Sequence, residues 1–453
     1  GGSGGMRAKT EDEGSSDEDD SEFEQNDECL ETWTFKFPAL DIVIGYACLV
    51  LLVLLVIANI IFFFVGRKQV SAEAFQASQQ DSFMTPEQFP RQSGCVTCMP
   101  GNKTNAELKE CYGPCTSLDF ILDWEEQAKR LGFKLVFFKS RPGPRGEPPV
   151  NISAWWLPPE PGHRVNPSLG PEPRVVAMHG LGSNNNHCAV QSMCYLLRSI
   201  GIGCLAPSQR DFGQSGSSTH PSVYTWGYDV PMDLLGAWDY AVDDPEGKLG
   251  GKVDRSNVGI MGFSAGAYHA AIAFSLEPRV PAAWIDSAPW SGLYGEIYSR
   301  VRPMAGKYIA PVVASVIHFW ARFFGGGMVD YYNPIAMLTQ CSGPPRHVAI
   351  VHGWFDEMVA LTELFKASVV LNGLQGCYDC FEFTPPEYCN GQTHHVESWL
   401  FPDTTRSALC DFWSAAFGLP ANYCRLKEQP QLQQWFFPED MPPGTPSLKA
   451  FAD

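Results

Sequence analysis

Apolar residues are concentrated in one long run near the N-terminus, from Ile42 to Val65, with no charged residue and only Asn59 as a strongly polar one. As a helix its 24 residues would span about 36 Å, enough to cross a bilayer core. A buried helix of a soluble protein is the alternative, but a helix that is apolar on every face at this length is rare in water. A cleaved signal peptide would be shorter and nearer Met6. The run therefore predicts a transmembrane helix over 41–66, which would hold the chain in the membrane through residues 42–65.

Between residues 116 and 418, short apolar runs typical of buried strands alternate with helical patterns. Two early antiparallel strands are predicted over 133–139 and 152–157. Later strands are predicted over 174–178, 203–207, 258–261, 283–285, 347–351 and 381–384, and helices over 117–130, 187–200, 230–242 and 267–274. Strands that alternate with helices imply a parallel sheet, so the predicted fold class is α/β, with a mostly parallel sheet flanked by helices.

An insertion at about 290–345 separates two of the predicted strands. Its segment 308–324 is rich in Ile, Val, Ala, Phe and Trp, and such insertions commonly cover the site above the strand ends. The alternative is a crossover helix with extra turns. The Pro- and Gln-rich residues 419–453 are expected to form a loosely packed or disordered tail.

The net charge of −18 is unevenly distributed. Residues 6–37 hold 12 acidic and three basic side chains, so this segment carries −9, half of the total. Residues 1–40 therefore read as a glycine-rich linker, Gly1 to Gly5, followed by a disordered acidic tail. The tail is either a solvated segment or a phosphorylated docking segment whose partner the sequence does not identify. The acidic balance argues against nucleic-acid binding.

Thirteen of the 15 cysteines follow the apolar run. In the predicted stalk, residues 67–115, the four thiols Cys95, Cys98, Cys111 and Cys115 have a spacing that fits either two disulfides or a zinc site. Unpaired structural thiols are the third interpretation. We expect disulfides if the stalk faces an oxidising compartment.

Two sets of sequence features disagree about the side of the membrane on which the large domain lies. Arg67 and Lys68 follow the run, and the positive-inside rule would place the C-terminal side in the cytoplasm. The cysteine content and two glycosylation acceptor sequences, at Asn102 and Asn151, favour the lumen or the cell exterior. We expect a lumenal or extracellular domain with a cytoplasmic tail, and a cytoplasmic domain is the alternative.

The motif Gly262-Phe263-Ser264-Ala265-Gly266 lies where a predicted strand meets a predicted helix. In this context the serine occupies a strained turn with its hydroxyl exposed, and the helix N-terminus favours developing negative charge. A turn serine without a chemical role is the alternative. Ser264 is the predicted nucleophile.

The acid of a serine triad should lie between the serine and the histidine in sequence. Asp356 follows the strand predicted over 347–351 and can orient an imidazole and stabilise its charged form. A turn or capping role is the alternative for Asp356. In that case Glu357 or Asp286 would supply the acid.

The base should follow the strand predicted over 381–384, and two adjacent histidines, His394 and His395, satisfy this condition. The oxyanion must be met by backbone N–H donors. Ala265, just after the nucleophile, is one predicted donor, and Leu181, in a loop with glycine on both sides, is the other.

The order of these motifs strongly resembles that of the α/β-hydrolase superfamily, over residues 133–417. The chain is similar to membrane-anchored serine hydrolases related to Bem46-like, monoacylglycerol-lipase-like and acyl-protein-thioesterase-like proteins. The matching motifs are His179-Gly180-Leu181-Gly182, Arg210-Asp211-Phe212-Gly213-Gln214-Ser215-Gly216, the turn at Ser264, Asp286-Ser287-Ala288-Pro289, Tyr332-Asn333-Pro334-Ile335, the loop at Asp356 and His395-Val396-Glu397-Ser398-Trp399. The chain departs from the usual Arg-Gly pattern at Asp211-Phe212-Gly213, and the stalk and the acidic tail lie outside the resemblance.

The resemblance implies an α/β-hydrolase fold and a Ser264–His395–Asp356 triad. His395 is preferred to His394 because in relatives the catalytic histidine precedes a similar acidic and aromatic stretch. The implied activity is hydrolysis of esters or thioesters, without a cofactor or metal, and the tether and cap suggest a lipid or acylated substrate. A peptidase, an acyltransferase and a non-catalytic membrane scaffold are the alternatives.

Overall fold

The computed structural model describes residues 38–71, 133–160, 172–181, 185, 188–341, 343–353, 356, 358–384, 402–420 and 423. Several sequence predictions fall on residues outside these ranges. They are the acidic tail up to residue 37, the helix over 117–130, the stalk cysteines Cys95, Cys98, Cys111 and Cys115, the acceptor Asn102, the fallback acid Glu357, both candidate bases, His394 and His395, and most of the tail over 419–453.

The strands and helices of the described chain alternate along most of its length. The strands are β1 (Lys134–Lys139), β2 (Asn151–Leu157), β3 (Arg174–Met178), β4 (Gly203–Pro207), β5 (Val258–Phe263), β6 (Ala282–Asp286), β7 (Arg346–Val351) and β8 (Tyr378–Phe383). The helices are α1 (Pro38–Val70), α2 (Cys188–Ser199), α3 (Val230–Asp243), α4 (Ala265–Leu276), α5 (Gly292–Phe324), α6 (Pro334–Leu338), α7 (Leu361–Asn372) and α8 (Pro402–Ala416).

The strands form one eight-stranded sheet in the order β1-β2-β4-β3-β5-β6-β7-β8. β2 runs antiparallel to β1 and β4, and every pair from β4 to β8 is parallel. This arrangement is the α/β-hydrolase fold, and it confirms the predicted fold class. Because parallel strands share one carboxyl edge, the turns after β3, β5, β6 and β7 lie at the same edge of the sheet.

The central strands are apolar throughout because both faces of the sheet are covered. Along β3, Val176 and Met178 belong to the cluster that packs against α3, α4 and α7. Val175 and Ala177 belong to the opposite cluster, which packs against α2 and α8. A strand buried on both faces has no polar alternation, which is why the sequence shows short continuous apolar runs here.

Most predicted strands are confirmed to within about two residues of their observed ends. The exception is the last, predicted over 381–384, because β8 begins three residues earlier, at Tyr378. β8 is an edge strand whose side chains are mostly half-buried, so it accepts polar residues.

The insertion between β6 and β7 contains the long helix α5, whose second half is the apolar segment 308–324. Pro303 and Pro311 lie inside α5, and Gly306 interrupts it with φ 70° and ψ 169°. These residues obscure the helical pattern in the sequence because proline and glycine usually end helices.

The chain divides into two compact units, residues 1–56 and residues 57–453. In the first unit the described residues are helical, and the apolar side chains from Val43 to Val56 are exposed. In the second unit the last turns of α1 pack into the fold: Gln69 O accepts from Trp226 Nε1 and Val70 O accepts from Tyr224 N–H. α1 is long and apolar enough to cross a membrane by length and composition.

Two disulfides with both cysteines among the described residues join elements of the sheet region. Cys194 of α2 pairs with Cys204 of β4, and Cys341 pairs with Cys377, which precedes β8. Cysteine content alone predicted an oxidising compartment but not these partners, because pairing depends on proximity in the fold rather than on spacing.

Candidate active site at the carboxyl edge of the sheet

Ser264 occupies a sharp turn between β5 and α4. Its backbone has φ 55° and ψ −124°, a conformation that a non-glycine residue adopts only under strain of about 1–3 kcal/mol. The turn is fixed by the Ser264 N–H, which donates to Asp286 O at 2.8 Å, and by Ser264 O, which accepts from Tyr268 N–H at 3.1 Å. The side chain is half-buried. This is the geometry expected of an exposed nucleophile at the carboxyl edge of the sheet.

Two glycines make this turn sterically possible. A Cβ atom at Gly262 would lie 2.3 Å from Gly266 O, and one at Gly266 would lie 2.3 Å from His179 O. The obstructing atoms are backbone oxygens, which cannot rotate away as a flexible side chain would. The first turn of α4 therefore packs directly against the end of β3.

Gly266→Ala is expected to destabilise the fold by about 3 kcal/mol, because the new methyl group must displace the backbone of β3. The measurement is the shift in melting temperature of the detergent-solubilised chain. Gly376→Ala is the matched control, because a Cβ there meets nothing within 4 Å. Equal melting temperatures for the two variants would contradict the packing described.

The loop after β3 brings the predicted oxyanion donors to the nucleophile. A Cβ at Gly180 would lie 3.2 Å from Ser264 Cβ, so the loop backbone passes beside the nucleophile. Leu181 follows in this loop and is half-buried. Ala265 begins α4 and is buried, and the first N–H groups of a helix have no intrahelical acceptor. Two backbone segments beside Ser264, the loop after β3 and the start of α4, can thus supply N–H donors.

His179 holds the loop in place. The N–H of Gln209 donates to His179 Nε2 at 3.0 Å, so the ring proton is on Nδ1, which donates to Gly180 O at 2.8 Å. Gln209 Nε2 also donates to His179 O at 2.8 Å. His179 is therefore a neutral positioning residue rather than a base.

Gln209 was not identified from the sequence, although it directly precedes the motif that begins at Arg210. Its side-chain oxygen accepts from the Tyr224 hydroxyl at 3.2 Å, and that hydroxyl lies 2.7 Å from His269 Nε2. Burial lowers the pKa of His269 to about 3, so its ring is neutral. A continuous hydrogen-bond network thus connects α4, which begins after Ser264, to the loop after β3.

Arg210 forms buried ion pairs that hold the segment containing Gln209 in place. Its guanidinium group contacts Asp233 at 2.7 Å and Asp229 at 3.2 Å, and all three side chains are buried. Asp229 also accepts from His220 Nε2 at 2.8 Å, which raises the pKa of His220 above its usual value. Paired and hydrogen-bonded in this way, the buried charges fix the position of the neighbouring Gln209.

Asp356 lies in the loop after β7, as predicted for the acid. Its side chain is fully buried, and Oδ1 accepts from the N–H groups of Met358 at 2.9 Å and Val359 at 2.8 Å. The other oxygen, Oδ2, lies 3.9 Å from His352 Nε2, a ring that itself contacts Val359 O at 3.1 Å. The loop thus holds the Asp356 carboxylate in one orientation.

Asp286, the fallback acid, ends β6 and is buried beside the nucleophile turn. It pairs in register with Phe263, and its carbonyl oxygen accepts from Ser264 N–H. Both carboxylates are therefore present at the carboxyl edge, and the assignment of the acid stays a prediction. Among the described residues, no group of three or more His, Cys, Asp or Glu side chains is placed to hold a metal ion.

An apolar cluster extends from the nucleophile turn to the end of α1, and we call it the cap cluster. Both predicted oxyanion donors belong to it: Ala265 is buried and Leu181 is half-buried. α5 contributes most of its remaining members, and Val65 and Val70 of α1 join it. The environment of Ser264 is therefore apolar on the side that faces α5.

Comparison with known proteins gives matches among solved structures. No family model and no curated protein matches the chain. The esterase Pf2001 of Pyrococcus furiosus is 20% identical with a TM-score of 0.43, over 64% of this chain and 95% of its own. Est1E of Butyrivibrio proteoclasticus, solved with ferulic acid bound, is 15% identical with a TM-score of 0.40, over 59% and 96%. A puromycin-hydrolysing peptidase of Mycobacterium tuberculosis is 16% identical with a TM-score of 0.45, over 64% and 41%.

Proposed function

We propose that the protein is a membrane-anchored serine hydrolase that cleaves carboxylic esters or thioesters of lipid or acylated substrates. The observation that carries the proposal is the strained backbone of Ser264, with Gly180 against its side chain. Strain of this kind persists where the surrounding structure over-determines it, and it is concentrated at reactive sites.

In the proposed reaction, Ser264 Oγ attacks the acyl carbonyl carbon while its proton passes to His395. The N–H groups of Leu181 and Ala265 donate to the oxyanion of the tetrahedral intermediate. Collapse of this intermediate breaks the bond to the alcohol or thiol, which leaves with the proton from His395. A water molecule deprotonated by His395 then attacks the acyl-serine. The bond between the acyl carbon and Ser264 Oγ breaks, His395 returns the proton to Oγ, and the acid is released.

The cap cluster supports a substrate with an apolar acyl group. It surrounds Ala265 and Leu181 with buried aliphatic and aromatic side chains, and burial of each CH₂ group contributes about 0.8 kcal/mol. Because the cluster continues to Val70 at the end of α1, an acyl chain from a membrane would meet apolar side chains near the site. Long acyl groups are therefore favoured over short ones.

A fluorophosphonate probe is expected to label the wild-type chain and not Ser264→Ala, because only an activated serine displaces the fluoride. Ester hydrolysis should fall by about 10⁶-fold in the same variant. Ser275→Ala is the matched control, because Ser275 is on the same helix and its hydroxyl donates to Ala271 O. Equal labelling of Ser264→Ala and wild type would point to the non-catalytic scaffold.

The acyl preference is measured with a series of esters and thioesters of increasing chain length. We expect kcat/KM to rise with chain length. Faster cleavage of peptides than of esters would instead identify a peptidase. Transfer of the acyl group to an added alcohol in preference to water would identify an acyltransferase.

We also propose that the large unit lies in the lumen or outside the cell. The Cys194–Cys204 and Cys341–Cys377 disulfides favour an oxidising compartment. Asn151 is exposed at the start of β2, where an attached glycan would project into solvent. We expect endoglycosidase to reduce the apparent mass of the chain, and the shift to disappear in the double variant Asn102→Gln, Asn151→Gln. A chain that shows no shift in the wild type would favour the cytoplasmic alternative.

A further inference from the structure

The helix α5 is apolar on two opposite sides. Its inward side carries small or aliphatic residues, Ala310, Ala314, Ile317 and Ala321, all buried in the cap cluster. Its outward side carries large apolar residues at helical spacing, Tyr308, Val312, Phe319 and Phe323, which are exposed by 60–81%. A helix of a soluble domain normally has a polar outward side, so this face is built for an apolar partner.

The outward face of α5 adjoins α1, which contacts α5 at Trp320. Gly66 lies so close to α5 that a Cβ there would be 2.6 Å from Trp320 Cβ. Trp320 Nε1 donates to Asn59 Oδ1 at 3.0 Å, and the Phe63 ring packs edge-on against Trp320 at 5.0 Å. Asn59, the polar residue that interrupts the apolar run, is thus bonded to the cap.

The depth of this contact follows from the length of the apolar run. The run spans about 36 Å, whereas the hydrocarbon core of a bilayer is about 30 Å thick. Asn59 precedes the end of the run at Val65 by six residues, about 9 Å of helix. If α1 crosses a membrane, Trp320 is therefore held near the surface of that bilayer. Tryptophan is enriched at the membrane–water interface of membrane proteins.

The charge of α5 suits contact with the phosphate groups of phospholipid headgroups. The helix carries four basic residues, Arg300, Arg302, Lys307 and Arg322, and one acidic residue, Glu296, within a chain of net charge −18. Arg67 and Lys68 add two further positive charges at the end of α1. Basic residues beside a face of large apolar residues are the pattern of helices that lie in the membrane interface.

We propose that the outward face of α5, formed by Tyr308, Val312, Phe319 and Phe323, lies in the interface of the bilayer that α1 crosses and contacts acyl chains and phospholipid headgroups. The proposal rests on the membrane anchoring in the proposed function but not on the reaction at Ser264. It places a single helix between the lipid and the cap cluster. A substrate taken from the bilayer would therefore move by about one helix diameter, roughly 10 Å, without entering bulk water.

The test is photo-crosslinking of the full-length chain in vesicles of phosphatidylcholine and phosphatidylserine that contain a diazirine-bearing phospholipid. Peptide mass spectrometry is expected to find lipid adducts on peptides covering 308–323 as well as 43–65. The matched control is Phe137 of the edge strand β1, which is 37% exposed and belongs neither to α5 nor to α1. Its peptide should stay unlabelled.

The double variant Phe319→Ser, Phe323→Ser is expected to reduce labelling of the 308–323 peptides several-fold and to leave labelling of 43–65 unchanged. Its melting temperature in detergent reports whether it folds.

Labelling of α1 without labelling of α5 would overturn the inference while leaving the proposed anchoring intact. Crosslinking of α5 to a second copy of the chain would also overturn it, because the face would then be a dimer contact. Absence of lipid adducts on both helices would overturn the inference and the anchoring together. Fluorophosphonate labelling of Ser264 tests the reaction independently of all three results.

Discussion

His395→Ala is expected to lower kcat for ester hydrolysis by about 10⁶-fold, because the serine hydroxyl then has no group to accept its proton. The loss should appear in kcat rather than in KM, since a base acts on the transition state and not on substrate binding. Fluorophosphonate labelling should be lost to the same degree as in Ser264→Ala. The measurement is steady-state hydrolysis of a long-chain ester in detergent.

His394→Ala is the matched control, because the two residues are adjacent and differ only in their predicted role. We expect its kcat to fall by about tenfold or less. The opposite ranking, with the larger loss at His394, would reject His395 as the base and leave the rest of the proposed site unchanged.

Asp356→Asn is expected to lower kcat by about 10⁴-fold, because an amide cannot hold the imidazole in the required tautomer or stabilise its charged form. The amide oxygen of the substituted side chain can still accept from the N–H groups of Met358 and Val359, so the loop should keep its shape. An unchanged melting temperature together with the loss of kcat would separate the catalytic role from a structural one.

Asp286→Asn and Glu357→Gln test the two other candidate acids. Both are expected to keep kcat within about tenfold of the wild type. A loss of about 10⁴-fold in Asp286→Asn, with Asp356→Asn active, would assign the acid to the strand next to the nucleophile instead.

The parts of the fold that the sequence predicts best are those where one local property determines structure. β3, β4 and β5 are buried on both faces, so each appears in the sequence as a short continuous apolar run. The turn at Ser264 is equally local, because its glycines are required by backbone contacts only a few residues away or on the neighbouring strand. The fold class and the strained turn that holds the predicted nucleophile could therefore be inferred together.

The parts that the sequence does not reveal depend on contacts between distant segments. The pairing of Cys341 with Cys377 requires the end of the insertion to lie beside the start of β8. The role of Gln209 depends on His179 and Tyr224, 30 and 15 residues away, and no local pattern marks it. Asn59 has no evident role in the apolar run of the sequence, because its hydrogen-bond partner, Trp320, lies 261 residues later in the chain.

The order of the strands has a consequence for biosynthesis. The predicted nucleophile lies after β5, the predicted acid after β7 and the predicted base after β8. The strands from β5 to β8 are added to the sheet one beside the other in the order of translation. A nascent chain can therefore fold the Ser264 turn against β3 while it still lacks the residues that would activate it. In the proposed triad the base emerges last, when the chain has passed the edge strand. With the proposed triad, the chain would gain its activity toward acyl groups only after β8 and the segment that follows it have been synthesised.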